Sequence, residues 1–258
     1  MSGLFSRRRF LGLSTIGASA MFLSGCDRLA QNEKVRNVLD MAETLTKTTQ
    51  RALLSQGALA REYPEADISP VFKVNGTSMP DGEEYARLLE GGFADWRLVV
   101  DGLVRQPLSL SLADLKNLPS RTQVTRHDCV EGWSAIGKWT GVPLSVVLEK
   151  VGLLPSARYV VFHCADDLGQ TLGGSGRYYE SLDLVDAFHP QTILAYGMNG
   201  EDLPVAHGAP LRLRVERQLG YKHAKYLLRV QATDSFAGIE GGKGGFWEDF
   251  GYEWYAGI

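Results

Sequence analysis

Apolar side chains at Val35, Val38, Leu39, Ala42, Leu45, Ala52 and Leu53 recur close to the helical period. That pattern predicts an amphipathic helix over residues 33–57, with Gly57 at its end. Residues 62–82 lack any period and carry Pro64, Pro70, Pro80, Asn75-Gly76 and Asp81-Gly82, so they read as extended, turn-rich chain. A short helix over 83–90 is expected to stop at Gly91-Gly92. From Trp96 onward the pattern shortens. Arg97–Val100 reads as a strand, with Asp101-Gly102 as a turn before Leu103-Val104. Ser111 caps a helix over Leu112–Leu118 that Pro119 stops, and Arg121–Arg126 alternates like a strand. Pro143 opens a helix to Lys150, closed by Gly152, and Leu182–Phe188 reads as a helix halted at His189-Pro190. Tyr159–Phe162, Thr192–Tyr196, Leu211–Val215 and Tyr226–Gln231 are further strands. Short strands interspersed with short helices predict an α+β fold, and no internal repeat is visible.

The first residues follow a different logic. Arg7, Arg8 and Arg9 precede an apolar stretch from Phe10 to Gly25, too short to span a bilayer. Ser6-Arg7-Arg8-Arg9-Phe10-Leu11 resembles the twin-arginine export signal. Leu23-Ser24-Gly25-Cys26 resembles a bacterial lipobox, whose Cys carries a membrane-anchoring lipid. Asp27 after it resembles a signal for retention at the inner membrane. The expected organisation is a signal over 1–26, a helical spacer over 27–62 and one domain over 63–258. Twin-arginine export carries folded proteins, so an extracytoplasmic, cofactor-containing protein is expected.

Composition narrows the class. The chain has 258 residues, 44% of them hydrophobic and 22% charged, which excludes a disordered chain. A net charge of −3 offers no basic footprint for nucleic acid. Three cysteines, Cys26, Cys129 and Cys164, are too few for a disulfide scaffold.

The densest chemistry lies in Thr125-Arg126-His127-Asp128-Cys129-Val130-Glu131-Gly132-Trp133-Ser134. Residue types alone leave four roles open for Cys129: a buried thiol, a nucleophile based by His127 on the same strand face, a disulfide with Cys164, or a thiolate ligand to a soft metal, its proton loss favoured by cationic neighbours. One Cys is too few for zinc or an iron–sulfur cluster on the usual ligand sets, so a metal here would take its other ligands from a cofactor.

The Cys129–Ser134 run, with Trp139, Gly141 and Pro143-Leu144 downstream, resembles the sulfite oxidase-like molybdopterin oxidoreductases, and within them the Cys-Val-Glu-Ala-Trp-Ser segment of bacterial periplasmic methionine-sulfoxide reductases. Tyr159–Phe162, His189–Thr192, Gly208–Leu213 and Gly220-Tyr221-Lys222 with Lys225 resemble further blocks of the family in the same order. The resemblance covers roughly residues 70–235. It implies a sulfite oxidase-type molybdopterin-binding fold, Cys129 as ligand to molybdenum, and a molybdopterin dithiolene supplying two more sulfurs. It places pterin contacts at Asn75, Cys164, His207, Arg212, Lys222, His223 and Lys225. Cations and close-approaching backbone at Gly208 and Gly220 would suit the cofactor's phosphate or nucleotide tail. At His207 the reductase-like relatives carry Asn, and Cys164 stands where they have Thr. On the substrate side the candidates are Arg126, favouring an anion or oxo group, Glu131 as a proton-transfer group, His127 and Tyr178.

The resemblance implies oxygen-atom transfer, with reduction of an S-oxide or N-oxide ahead of sulfite oxidation. The substrate would be a small molecule or an oxidised residue. With no Cys-x-x-Cys-His haem motif in the chain, the electron partner would be a b-type membrane or c-type soluble cytochrome. After the signal and spacer there is no room for an Ig-like dimerisation domain. A non-enzymatic lipoprotein, binding a partner through the aromatic, acidic tail Phe246–Tyr255, is the competing class. That tail follows the Gly-rich run Gly238–Gly245 and reads either as a cover for the core or as a lid at the site.

Overall fold

The computed structural model describes residues 32–53, 55–169 and 174–258. The export signal and the lipobox Cys26 lie outside the described residues. Helix α1 (Glu33–Leu53) follows the first amphipathic pattern and stops short of Gly57. Residues 54–258 form a separate compact unit. It takes in residues 58–62, read above as spacer. Ala60 N donates to Gln191 Oε1 at 2.7 Å, His189 contacts Ala58 O at 3.0 Å, and Glu62 bridges to Thr125.

This unit holds α2 (Glu83–Glu90), β1 (Leu98–Gly102), β2 (Leu108–Leu110), α3 (Leu112–Lys116), β3 (Arg121–Asp128), β4 (Ser134–Pro143), α4 (Leu144–Val151) and β5 (Tyr159–Asp167). After them come β6 (Arg177–Asp183), α5 (Leu184–Ala187), β7 (Thr192–Met198), β8 (Glu201–Asp202), β9 (Arg212–Val215), β10 (Leu227–Thr233) and α6 (Phe246–Asp249). One sheet runs β2-β1-β10-β5-β6. The other runs β3-β4-β7-β8, with β9 also on β7. Only β1–β10 is parallel among these pairings. The main core draws Leu98, Val160, Phe162 and Val230 from the first sheet and Val142, Leu194 and Leu213 from the second, all essentially fully buried. This is the expected α+β architecture.

Local chemistry sets several boundaries. Ser111 and Asp114 form a reciprocal capping box at α3, satisfying two otherwise unpaired backbone N–H groups. Helix α4 starts after Pro143 and ends at Gly152, whose φ of 63° an L side chain rarely adopts.

Two expectations are corrected. Asp101-Gly102 is not a turn: β1 continues through Gly102, paired with Ala232. A Cβ on Gly102 would lie 2.2 Å from Ala232 O, so the glycine serves close strand approach. The connection to β2 is made later, over residues 103–107. Leu182 and Asp183 belong to β6, and the helix spans only Leu184–Ala187, capped by the Asp183 side chain accepting from Asp186 N at 3.1 Å. Strand β4 went unread in the sequence.

Candidate active site

Strand β3 delivers Cys129 to the tip of the β3–β4 hairpin. The turn is tight. Cys129 N donates to Trp133 O at 2.9 Å, Gly132 N donates to Cys129 O at 3.0 Å, and Gly132 takes a φ of 83°. Cys129 borders a cavity of about 360 Å³. Its wall includes Asn75, Thr77, Asp166, His223 and Lys225, with Val130, Glu131, Tyr178, Tyr221, Trp247 and Tyr252. Exposure separates floor from mouth: Asp166 is 3% exposed and His223 3%, whereas Val130 is 46% and Tyr252 43% exposed.

The floor is held by Lys225. Its ammonium donates to the carbonyls of Asn75 (2.7 Å), Ala206 (3.2 Å) and Thr77. All three of its protons are therefore committed, and its role is to pin the 75–77 segment to the floor. Burial, then Arg212, depresses it to about 7. Asp166 beside it is raised to about 6, chiefly by burial. Behind the floor Arg212 donates to His207 O at 2.9 Å and His223 O at 3.3 Å, tying together the two loops that carry those histidines. Trp139 lies against both Arg212 and Arg214, 4.9 and 4.4 Å from its ring. Arg214 pairs with Glu216 at 2.6 Å and donates to His127 Nδ1 at 3.0 Å. Burial first, and these cations second, hold His127 and His223 well below the ordinary imidazole range; burial and Arg212 bring His207 down to about 4. All three rings are neutral at pH 7.

His223 Nε2 sits 3.0 Å from Gln218 O and must donate to it, so its Nδ1 is a bare acceptor. Nδ1 of His223, Oδ1 of Asn75 and Oδ1 of Asp166 are all buried without a partner, and all three residues line the cavity. Buried polar atoms are seldom left unsatisfied. The molybdopterin implied by the sequence resemblance fits this floor: its heterocycle presents N–H donors to these bare acceptors. Asn75 and His223 are the residues that would hold it, on a floor that Lys225 pins and that Arg212 braces from behind. Among the described residues no group of three or more His, Cys, Asp or Glu side chains is arranged to hold a metal ion. A metal at Cys129 would then draw further ligands from the cofactor.

Other candidate residues fall elsewhere. Lys222 is corrected: it is fully buried between Glu180 (2.6 Å) and Glu248, so its ammonium is not available to a cofactor anion. Cys164 packs in the core, 1% exposed, and is not part of the cavity wall. Both Cys129 and Cys164 are free thiols, so the alternative of a disulfide between them is not realised. Arg126 is exposed and pairs with Asp128 at 3.0 Å. With that charge turned to solvent, Cys129 is not activated: burial raises its thiol above the usual range. Glu131 is held low by the Trp133 indole (2.9 Å) and Lys73 (3.3 Å), which makes it an anion at the mouth and a poor acid. His127 is buried behind the cavity, its Nε2 facing Gly220. A Cβ on Gly220 would stand 2.5 Å from that nitrogen. Gly220→Ala is expected to cost about 1–3 kcal/mol by overpacking, read as a lowered melting temperature. Tyr178 lines the cavity and donates to Tyr221 O at 2.5 Å.

Sequence reasoning missed Asp166 and Thr77. The tail packs on the core and reaches the site: Phe246 packs on Val161 and Tyr179, while Trp247 and Tyr252, stacked 5.5 Å apart, form part of the cavity wall.

Comparison with known proteins gives the family. The family model described as oxidoreductase molybdopterin binding domain matches residues 88–237. The YedZ1 subunit of Azospira oryzae, assigned by name to the protein-methionine-sulfoxide reductases, is 39% identical over 252 residues, 98% of this chain and 88% of that one. The protein-methionine-sulfoxide reductase catalytic subunit MsrP of Xanthomonas axonopodis pv. citri is 38% identical over 165 residues, 62% of this chain, which spans about half (51%) of MsrP. Among solved structures, the sulfane dehydrogenase SoxCD of Paracoccus pantotrophus matches with 26% identity and a TM-score of 0.49, over 54% of this chain and 38% of that one. The chain belongs to the oxidoreductase molybdopterin-binding domain family and is a molybdopterin-dependent oxidoreductase of the sulfite oxidase-like class.

Proposed function

We propose that this chain reduces S-oxides, with methionine sulfoxide held in a protein as the substrate class, in an extracytoplasmic compartment. The observation that carries the reading is the division of the cavity. Buried acceptors form its floor, and Cys129 stands with an apolar, partly exposed rim of Val130, Trp247 and Tyr252. A thioether sulfoxide offers an apolar methyl and methylene to such a rim, and an open rim admits a side chain presented by another protein. The names borne by the relatives in Azospira and Xanthomonas support the same class.

When bound, molybdenum held by molybdopterin supplies the two-electron exchange of an oxygen atom. Cys129 is the protein's ligand to it. The neutral His127 and His223 and the cations behind them fix the cofactor's surroundings. Glu131, kept as a carboxylate, accepts hydrogen bonds at the mouth and leaves acid catalysis to water or substrate. Overall, sulfoxide plus two electrons and two protons gives thioether and water. A b-type membrane or c-type soluble cytochrome delivers the electrons. Export by the twin-arginine route and a lipid on Cys26 hold the enzyme at the inner membrane.

The test is a substrate panel on the holoenzyme purified after native export. Oxidation of reduced viologen by a methionine-sulfoxide-containing protein is the expected result. Turnover of sulfite with ferricyanide, and of no sulfoxide, overturns the proposal and assigns the opposite direction.

A further inference from the structure

Asp166 stands apart from the residues that motif resemblance assigned to the cofactor. It lies on β5, where alternation places Val160, Phe162 and Cys164 on the core side, all buried. Asp166 continues that row as a carboxylate with only 3% exposure. A carboxylate on the apolar side of a strand is costly unless something meets it. What meets it inside the protein is incomplete. The Thr77 side chain reaches the carboxylate, but the three protons of Lys225 go to backbone carbonyls, and no hydrogen bond reaches Asp166 Oδ1. The residue lines the cavity together with Asn75 and His223, whose free atoms Oδ1 and Nδ1 are also acceptors.

We propose that Asp166 is a cofactor-binding residue: its carboxylate receives the N–H donors of the pterin's amino-pyrimidinone edge. Three bare acceptors on one floor select a ligand edge that only donates. The exocyclic amino group and adjacent ring N–H of a pterin form such an edge, and a carboxylate can accept both at once. Asn75 and His223 then accept from the remaining donors of the heterocycle. The inference rests on the molybdopterin cofactor and is independent of which substrate is turned over.

The experiment compares the full-length chain, Asp166→Asn and Asp166→Ala, each produced with the cofactor. Pterin per chain is read from the fluorescence of its oxidised derivative after release, and molybdenum by elemental analysis. Melting temperature is measured on loaded and cofactor-free protein. Loss of a charge-assisted pair of hydrogen bonds is expected to weaken retention by about ten- to a hundredfold. Asn keeps one acceptor, so pterin content should fall in the order wild type, Asn, Ala. The cofactor-free variants should melt at or above wild type, since a buried carboxylate short of partners has been removed. Wild-type pterin and molybdenum contents in both variants overturn the proposal. So does a fall in the melting temperature of the cofactor-free variants equal to that of the loaded ones, which assigns Asp166 a purely structural role.

Discussion

Cys129→Ser is expected to abolish turnover, by more than the 10–100-fold typical of residues one layer out from a metal, while leaving the fold intact. The backbone of the hairpin tip is held by its own hydrogen bonds, Cys129 N to Trp133 O and Gly132 N to Cys129 O, and neither involves the sulfur. Serine is close to isosteric, and the site is partly exposed. The melting temperature of the cofactor-free variant should stay within about 2 °C of wild type, in line with the ±0.5 kcal/mol usual for such positions. The chemical loss has a different origin. Burial keeps the Cys129 thiol protonated in the free protein, so the nearby charges do not prepare a thiolate. A bound metal would supply that drive by displacing the proton. A serine hydroxyl is far harder to deprotonate and is a hard oxygen donor where a soft one is needed. Molybdenum per chain, turnover and melting temperature on one preparation decide the matter: a Ser variant that still turns over refutes the ligand role.

Legibility of the fold tracked the range of the interactions. Ser111, Pro143 and Gly152 act on backbone groups a few residues away, and each marked a true helix boundary. The strand feeding Cys129 was visible because alternation over Arg121–Arg126 is itself local. Strand β4 was not. Gly137, Gly141 and Pro143 weaken its strand signal, and its identity comes from pairing with β3 and β7. A Cβ on Gly141 would lie 2.2 Å from Leu194 O, a reason for glycine that exists only once β7 is in place. The site divides the same way. Its motif residue Cys129 and the floor residues Asn75, His223 and Lys225 could be named in advance and do meet at one cavity. Lys222, equally basic and only three positions from Lys225, is absent from the cavity wall, because Glu180 and Glu248 arrive from β6 and from the tail to take its ammonium. Nothing within the local sequence of Lys222 announces those partners. Asp166 did leave a trace: carried past Phe162, the period of two puts a carboxylate on the core side of β5.

Lys222→Met is expected to destabilise the protein by about 3–5 kcal/mol, the usual result of removing one partner from a buried ion pair. For a unit of this size that is a fall in melting temperature of about 10 °C. All three side chains are at most 1% exposed, so water cannot screen what is left. In the wild type, burial and the adjacent Glu248 hold the Glu180 carboxyl well above the ordinary range. Methionine fills the volume but leaves a carboxylate with no cation. The pH dependence follows in sign. A carboxyl whose folded pKa exceeds its unfolded value binds more protons in the native state, so its contribution is fully present below the unfolded value and is lost as pH rises through the folded one. Lys222 is one of the groups that pull the Glu180 carboxyl down, so without it that carboxyl rises further, and the variant should be least destabilised near pH 4.5 and lose ground relative to wild type toward neutrality. Pairing Lys222→Met with Glu248→Gln removes the stranded charge and should restore part of the melting temperature at pH 7. Glu248 sits beside Trp247, a residue of the cavity wall, so the single variant should also free the tail to proteolysis and raise KM more than it lowers kcat. A single variant that melts within about 2 °C of wild type across this pH range would show that the tail is held without this ion pair, by Phe246 packing and the Tyr179–Asp249 and Trp254–Ser181 hydrogen bonds.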